Sequence, residues 1–294
     1  MQDRGLAVGV DVGGTKLAAG LVELPEGKVV ARRLVPTRAE RGGEAVLADV
    51  AALVDELAPD EATPVGVGVC ELVSLEQEVT SEFIVRWRGL AVRERLRRAG
   101  RVVLQSDIRA AALAEARLGA GRSAGSFGYL TVGTGIGLVF VQDGVPWPGA
   151  RGSAGTLGYS PLLAPGGTSY LVEPLASGAG LVARYRDRGG AADGAEDVLR
   201  AAARGDAGAE DVVREGAMVL GSCVGNAVDL LDPERIVLGG GLGLARGLYR
   251  DALVGAIRAS IWSDTNRSLE IVEAELGVDA GVVGAALAAS DATT

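Results

Sequence analysis

Residues 9–16 read Gly-Val-Asp-Val-Gly-Gly-Thr-Lys, and a second glycine turn, Gly-Thr-Gly-Ile-Gly, occupies residues 133–137. Each turn follows an apolar run. Successive backbone N–H groups in such turns form an anion-binding concavity, and glycine allows phosphate oxygens to approach the backbone closely. With Asp107 between them in the sequence, the two turns predict a nucleotide site that serves phosphoryl transfer.

The first turn differs from a Walker A loop in both residue order and context. A Walker A loop ends in Gly-Lys-Ser/Thr and opens a helix, whereas here Thr15-Lys16 follows the second glycine and short apolar runs come next. Such runs predict strands joined by a tight turn. A strand–turn–strand loop with an acid is similar to the ATP loops of actin and hexokinase. Taken alone, the motif leaves an ordinary glycine hairpin as the alternative.

Composition limits the possible classes of protein. The chain has 294 residues, 48% of them hydrophobic and 23% charged, and a net charge of −9. This size suits two domains, and the negative charge argues against binding to a nucleic acid backbone. The absence of histidine excludes His-based catalysis and the usual zinc sites, and two distant cysteines predict a reducing compartment. No signal segment or membrane span is evident, so we expect a cytoplasmic protein.

The order of apolar runs and turns predicts a duplicated α/β unit. An apolar run, a Gly-Thr turn and another strand occur at the N-terminus and again from Tyr129 to Val145. At Ser106-Asp107 a strand passes into a helix, a point at which open α/β sheets place their chemistry. We therefore expect an N-terminal domain of residues 1–107 with a C-terminal helix at about 280–294, and a larger domain of residues 108–279.

Six motifs occur in one order along the chain. They are Asp11 with Gly13-Gly14-Thr15-Lys16; Asp107 at a helix start; Gly133-Thr134-Gly135-Ile136-Gly137; Glu173 with Ser177-Gly178; Leu231-Asp232-Pro233-Glu234 before Gly239-Gly240-Gly241; and Asp279-Ala280-Gly281 before a final helix. In this order they resemble the ROK family (repressors, open reading frames and sugar kinases) over essentially the whole chain.

The ROK resemblance implies a fold, cofactors and an assembly. It implies a ribonuclease-H-like, actin-like ATPase fold of two α/β domains with an interdomain active-site cleft. It also implies ATP with Mg²⁺, a small sugar-like substrate and a homodimer. ROK repressors carry an extra N-terminal helix-turn-helix domain. This chain begins at its phosphate loop, so we expect the kinase branch.

The resemblance also assigns roles to individual residues. Asp107 matches the catalytic aspartate that accepts the hydroxyl proton, a role worth roughly 10²–10⁴ in rate. The helix start is expected to favour its ionised form; a plain N-cap is the alternative. The expected nucleotide ligands are Asp11, which would also hold Mg²⁺ mostly through water, and Gly13, Gly14, Thr15, Lys16, Gly133, Thr134, Gly135, Gly137, Gly239, Gly240 and Gly241, the last three closing over the adenosine.

Departures from the family pattern all fall in the sugar pocket. Ser106 stands where the family has Asn, and Cys70-Glu71 where it has Pro-Gly. Thr156-Leu157-Gly158-Tyr159 replaces Glu-x-Gly-His, and a cysteine-free stretch at 164–170 replaces the zinc loop. Glu173, the later sugar-binding glutamate, is kept. We therefore expect no zinc and an altered acceptor.

A changed set of polar groups predicts a changed substrate, because a site built for particular hydroxyls rejects analogues. The expected substrate ligands are Glu71, Ser106, Asp107, Thr156, Tyr159 and Glu173. A carboxylate at Glu71 would suit an ammonium group, which favours an amino sugar over a cyclitol (carbasugar). The alternatives are that Glu71 points to solvent and that Tyr159 fills the space of the zinc loop.

The expected activity is a Mg-ATP-dependent kinase that phosphorylates a primary hydroxyl of a modified hexose-like substrate. A glucokinase with ordinary hexose specificity is the first alternative. A non-catalytic sugar sensor, or pseudokinase, is the alternative of another class, although a sensor has no need of Asp11 and Asp107. An acyl-phosphate kinase or nucleotide hydrolase of the same superfamily is the third.

Overall fold

The computed structural model describes residues 5–96, 100–163 and 166–291. The chain divides into two compact units: unit 1 is Met1–Ser123, Val141–Ala154 and Glu275–Thr294, and unit 2 is Ala124–Phe140 and Gly155–Ala274. The division expected at residue 107 is therefore wrong, because the helix that begins there belongs to unit 1 together with residues 141–154.

Unit 1 is built on a five-stranded sheet of order β3-β2-β1-β4-β5. Elements are numbered along the whole chain. The strands are β1 (Gly5–Val12), β2 (Lys16–Leu24), β3 (Lys28–Pro36), β4 (Val65–Val69) and β5 (Val102–Ser106), and the helices are α1 (Gly43–Leu57), α2 (Val92–Arg95), α3 (Asp107–Leu118) and α11 (Ala280–Asp291), with 3-10 turns at Ala39–Arg41 and Gly277–Asp279. β1, β4 and β5 are parallel, β2 pairs antiparallel with β1, and β3 pairs antiparallel with β2.

One face of this sheet is covered by α1. The valines of β1 and β4 alternate with smaller or polar residues, so that Val8, Val10 and Val67 lie on one face of the sheet. They pack against six buried positions of α1 spaced as in an amphipathic helix. Each fully buried Val or Leu side chain contributes about 1.5–3 kcal/mol.

The other face of the sheet is covered by α3 and α11, which approach very closely. A Cβ on Gly284 of α11 would lie 1.7 Å from the carbonyl oxygen of Ala110 in α3. A Cβ on Gly66 of β4 would lie 1.7 Å from the carbonyl oxygen of Ala285. Only glycine fits such contacts, so the final Gly-rich motif is a packing motif that fixes α3.

Unit 2 carries a second sheet and most of the helices. Its strands are β6 (Ser126–Val132), β7 (Ile136–Gln142), β9 (Pro161–Leu163), β10 (Ser169–Leu171), β11 (Arg235–Gly239) and β12 (Glu270–Glu273). Its helices are α4 (Val172–Ala176), α5 (Gly178–Asp187), α6 (Ala195–Ala203), α7 (Ala207–Leu231), α8 (Gly241–Leu244), α9 (Leu248–Ser260) and α10 (Asp264–Arg267), with a 3-10 turn at Leu157–Tyr159. β8 (Val145–Pro146) pairs antiparallel with Val141 and Gln142 at the end of β7, and these paired residues belong to the 141–154 segment of unit 1.

The two main sheets repeat one topology. The second has the order β12-β11-β6-β7-β8, and β6, β11 and β12 are parallel. In the first sheet, β1 lies between its hairpin partner β2 and the parallel strands β4 and β5. In the second sheet, β6 lies between its hairpin partner β7 and the parallel strands β11 and β12. The duplicated α/β unit predicted from the repeated turns is confirmed. Among the helices in the described ranges, none is long and apolar enough to cross a membrane.

Candidate functional site

Two aspartates meet at one edge of the sheet of unit 1. In the parallel strands β1, β4 and β5, Asp11 is in register with Gly68, and Gly68 with Gln105. Asp107 follows two residues later as the first residue of α3. A Cβ on Gly68 would lie 3.1 Å from the Cα of Asp107, so a glycine here lets α3 begin directly over the sheet edge.

The Asp107 carboxylate is poised to exchange a proton near neutral pH. Burial, and then the negative charge of Asp11, raise the pKa of Asp107 to about 7. Its Oδ1 accepts a hydrogen bond from the Ile108 N–H at 2.7 Å, which acts in the opposite direction. The expectation that the helix start favours the ionised form is therefore wrong, because burial and Asp11 outweigh the helix. The N-cap residue is Ser106, whose buried side chain makes no capping bond.

Asp11 lies against the start of α11. A Cβ on Gly281 would lie 2.5 Å from Asp11 Oδ2, and burial raises the pKa of Asp11 to about 6. Within the described residues, no group of three or more acidic or sulfur side chains is arranged to hold a metal. Mg²⁺ usually binds one or two carboxylates together with phosphate oxygens and waters, and a single Asp11 fits that pattern.

The predicted first phosphate loop, residues 13–16, is a hairpin turn that is held by Thr37. The Gly13 N–H donates to the Lys16 carbonyl at 3.0 Å, and Lys16 is exposed. The fully buried Thr37 hydroxyl donates to the Gly13 carbonyl at 2.6 Å. Across the described chain, the amides of Gly14 and Thr15 have no protein acceptor. These two unpaired N–H groups are a donor set that suits phosphate oxygens.

The predicted second phosphate loop, residues 133–137, begins with a turn of the same kind. The Gly133 N–H donates across the turn to the Gly135 carbonyl at 2.9 Å. The amides of Thr134 and Gly135 have no acceptor in the part of the chain that the structure describes. Gly137 lies in β7. The loop is tied to the start of α5, because the Gly178 N–H donates to the Gly133 carbonyl at 2.8 Å.

The third glycine turn joins β11 to the short helix α8. Gly239 ends the strand, Gly240 is the N-cap and Gly241 begins the helix. The role of these residues at the adenosine stays a prediction.

Glu173 supports the second phosphate loop from α4. Its Oε2 accepts from the Ile136 N–H at 2.8 Å. Within the described residues, Oε1 accepts no hydrogen bond, so it is free to bind a ligand. Gly158 packs against the same carboxylate, since a Cβ there would lie 3.1 Å from Oε2.

Thr156 is the N-cap of the Leu157–Tyr159 turn and Tyr159 is its last residue, which is 44% exposed. After this turn, β9 and β10 pair antiparallel. Ala164 and Pro165 lie outside the described residues. Contacts of Ser106, Thr156, Tyr159 and Glu173 with a substrate stay predictions.

Glu71 is not available as predicted. It is only 3% exposed, which rules out the solvent-facing alternative. Both carboxylate oxygens are occupied by four donors from residues 81–85. The charge argument for a substrate ammonium group therefore loses its basis.

Sequence reasoning missed several supporting residues. Buried Arg109 in α3 donates to the carbonyls of Gly152, at 3.1 Å, and Val73, at 2.8 Å. Burial lowers the pKa of its guanidinium. Ser177 caps α5 through the Gly180 N–H at 3.1 Å. Arg109 could have been found as an arginine on the apolar face of a helix, and Ser177 as part of a Ser-Gly pair at a helix start. No sequence signal indicated Thr37.

The chain belongs to the ROK family, whose model matches residues 7–292. The bifunctional enzyme NanE/NanK of Brucella melitensis is 35% identical over 94% of this chain, but the chain spans only 52% of that longer protein. The N-acetylmannosamine kinase of Escherichia fergusonii is 30% identical over 95% of this chain and 97% of its own.

A solved structure agrees with the fold over the same range. The ROK family glucokinase of Streptomyces griseus, in complex with glucose and AMPPNP, is 28% identical with a TM-score of 0.83, covering 98% of this chain and 100% of its own. The mixed α/β, two-sheet chain thus has the actin-like ATPase fold of ROK sugar kinases. The relatives support an ATP-dependent carbohydrate kinase and differ in the sugar that their names state.

Proposed function

We propose that this chain is a Mg²⁺-ATP-dependent kinase that transfers the γ-phosphoryl group to a primary hydroxyl of a hexose-like substrate. The observation that carries the proposal is the Asp107 carboxylate, held at the sheet edge beside Asp11 with a pKa of about 7. A base with a pKa near the working pH is well matched to accept a hydroxyl proton.

The other residues position the nucleotide. The unpaired amides of Gly14, Thr15, Thr134 and Gly135 would bind phosphate oxygens. Asp11 would hold Mg²⁺, which neutralises charge on the transferring group. Asp107 would orient the acceptor hydroxyl and take its proton, and the free Oε1 of Glu173 would bind another hydroxyl.

We propose a modified hexose as the acceptor, with an amino sugar ranked before a cyclitol. The pocket departures at Ser106, Thr156 and Tyr159 support a changed substrate. Since Glu71 is occupied, an N-acylated amino sugar suits the site better than one with a free ammonium group. Plain hexose specificity is the second candidate, favoured by similarity to a glucokinase.

The test is ADP release over a panel of hexoses, amino sugars, N-acyl amino sugars and cyclitols, with Asp107→Asn as the control. We expect turnover with at least one member and its loss in the variant. No turnover on any member would favour the sensor, and acceptor-independent ADP release would favour a hydrolase.

We also propose a cytoplasmic homodimer. The dimer rests on the family resemblance, and the location on the two free cysteines, Cys70 and Cys223. Light scattering of the purified chain and cell fractionation test the two statements.

A further inference from the structure

Glu71 is a buried carboxylate that makes hydrogen bonds to a single segment of the chain. Its Oε2 accepts from the Ser81 hydroxyl at 2.5 Å and the Phe83 N–H at 2.8 Å. Its Oε1 accepts from the N–H groups of Ile84 at 2.7 Å and Val85 at 2.9 Å. A carboxylate leaves water only when such donors replace its hydration. In the described parts of the chain no lysine or arginine pairs with it, so these four donors account for its burial.

The segment that Glu71 holds reaches the first phosphate loop. A Cβ on Gly14 would lie 3.1 Å from Ile84 Cδ1 and 3.2 Å from Ile84 Cγ2. The Ile84 side chain therefore rests on the backbone of Gly14, although Ile84 is 40% exposed. Among the described residues the Ile84 N–H bonds to Glu71 alone, so this hydrogen bond helps to set the position of the Ile84 backbone.

The far end of the segment is fixed independently. Val85 and Trp87 are fully buried, and the Trp87 indole N–H donates to the Gly43 carbonyl at 3.0 Å. Ser81 is tied at the near end, because its hydroxyl oxygen accepts from the Leu72 N–H at 2.8 Å. Between these anchors, the N–H groups of Phe83 and Ile84 both donate to the Glu71 carboxylate.

We propose that Glu71 is a positioning residue for the first phosphate loop, acting through residues 81–85 and the contact of Ile84 with Gly14. The proposal rests on the proposed function in one respect: the ligand of that loop is the nucleotide. Holding Gly14 in one conformation keeps the amides of Gly14 and Thr15 arranged before ATP binds. The binding free energy of the nucleotide is then not reduced by the entropy cost of ordering the loop.

Glu71→Gln tests the hydrogen bonds between Glu71 and residues 81–85. Glu82→Gln is the matched control, at an exposed position of the same segment. A glutamine offers one oxygen in place of two, and its NH₂ group would face two N–H or O–H donors. We expect amide hydrogen exchange at residues 83–85 to accelerate, and the Kd for Mg-AMPPNP, measured by calorimetry, to rise by about tenfold. The control is expected to leave both quantities unchanged.

Ile84→Ala separates positioning from folding. It keeps the Glu71 hydrogen bonds and removes the contact with Gly14. We expect weaker Mg-AMPPNP binding without faster exchange at residues 83–85, and a raised KM for ATP with an unchanged KM for the sugar. If Glu71→Gln does not fold, Ser81→Ala, which removes one donor of four, replaces it in both measurements.

The outcomes distinguish the two proposals. Faster exchange in Glu71→Gln with unaltered nucleotide affinity in both variants overturns the positioning role and leaves the kinase proposal intact. A wild-type chain that binds no Mg-AMPPNP overturns the proposed function and the positioning role together.

Discussion

The raised pKa of Asp107 leads to a quantitative prediction of pH dependence. A general base acts only when ionised, so kcat/KM should rise with pH and reach half its plateau near pH 7, where the carboxyl titrates. About one tenth of the molecules carry an ionised Asp107 at pH 6 and about nine tenths at pH 8, which predicts a roughly tenfold increase. Asp11 is close to Asp107, and its pKa is also raised, to about 6. The two carboxyl groups therefore titrate jointly, and the increase in kcat/KM is spread over a wider pH range.

The same shift makes Asp107 costly for stability. The folded-state pKa of about 7 exceeds the ordinary value of 3.8. The cost is therefore absent below about pH 4 and builds as pH rises from about 4 to 7, because over this range the unfolded chain has lost the Asp107 proton while the folded chain still binds it. Above pH 7 both states are ionised and the full cost is reached. At about 1.4 kcal/mol per pH unit, the limit is about 4 kcal/mol, and it is reduced because Asp107 as a residue is only half-buried. Asp107→Asn should unfold with a free energy about 2–4 kcal/mol higher at pH 8, and with little change at pH 4.

Two assays check this prediction. Urea unfolding at pH 4 and pH 8 measures stability, and ADP release with the preferred acceptor measures turnover, which Asp107→Asn should lower by roughly 10²–10⁴. Asp187→Asn, at an exposed aspartate, should alter neither. A flat kcat/KM between pH 6 and 8, or a variant that keeps full turnover, would refute the reasoning.

Three further predictions follow from single contacts. Thr37→Val leaves the Gly13 carbonyl without its donor and should raise the KM for ATP several-fold while costing about 1–2 kcal/mol of unfolding free energy; an unchanged KM would contradict it. Gly284→Ala places a Cβ 1.7 Å from the Ala110 carbonyl oxygen and should cost more than about 2 kcal/mol in urea unfolding, whereas Gly255→Ala, with open space around it, should be neutral or stabilising. A zinc chelator should leave the Tm and Mg-dependent turnover unchanged, since the described residues hold no group arranged for a metal; a lower Tm would show a zinc site.

The strands and turns around the site follow from local pattern. Glycine-bounded apolar runs predicted the hairpin of β1 and β2 and its repeat in β6 and β7, because such runs have few other ways to bury their side chains. The helix at Asp107 followed from a helical run after a strand. The division at residue 107 failed because a helix start looks like a boundary in sequence, whereas packing of α3 against α11 through Gly284 decides its unit.

The electrostatics of the site depend on contacts that no local pattern contains. The helix start at Ser106-Asp107 predicted an ionised carboxylate, but burial and the charge of Asp11 reverse the direction. Asp11 and Asp107 are far apart in the sequence. They become neighbours only because β1 and β4 pair in this register. Thr37 and Arg109 likewise gain their roles from partners that tertiary folding supplies.

Glu71 shows why a departure from a family pattern need not be a departure in specificity. A carboxylate in place of a small residue beside the expected sugar pocket suggested a new ligand for substrate, yet its four donors all come from a segment 10 to 14 residues further along. Both carboxylate oxygens of Glu71 already accept hydrogen bonds from its own unit, so Glu71 has no oxygen available to bind a charged group of the substrate. The substrate ligands that remain proposed are Ser106, Asp107, Thr156, Tyr159 and Glu173, and the two acids among them are assigned to the acceptor hydroxyls. We therefore expect the acceptor panel to separate N-acyl from free amino sugars, with the free amine as the poorer substrate, and a preference for the free amine would mean that Glu71 leaves its buried position when substrate binds.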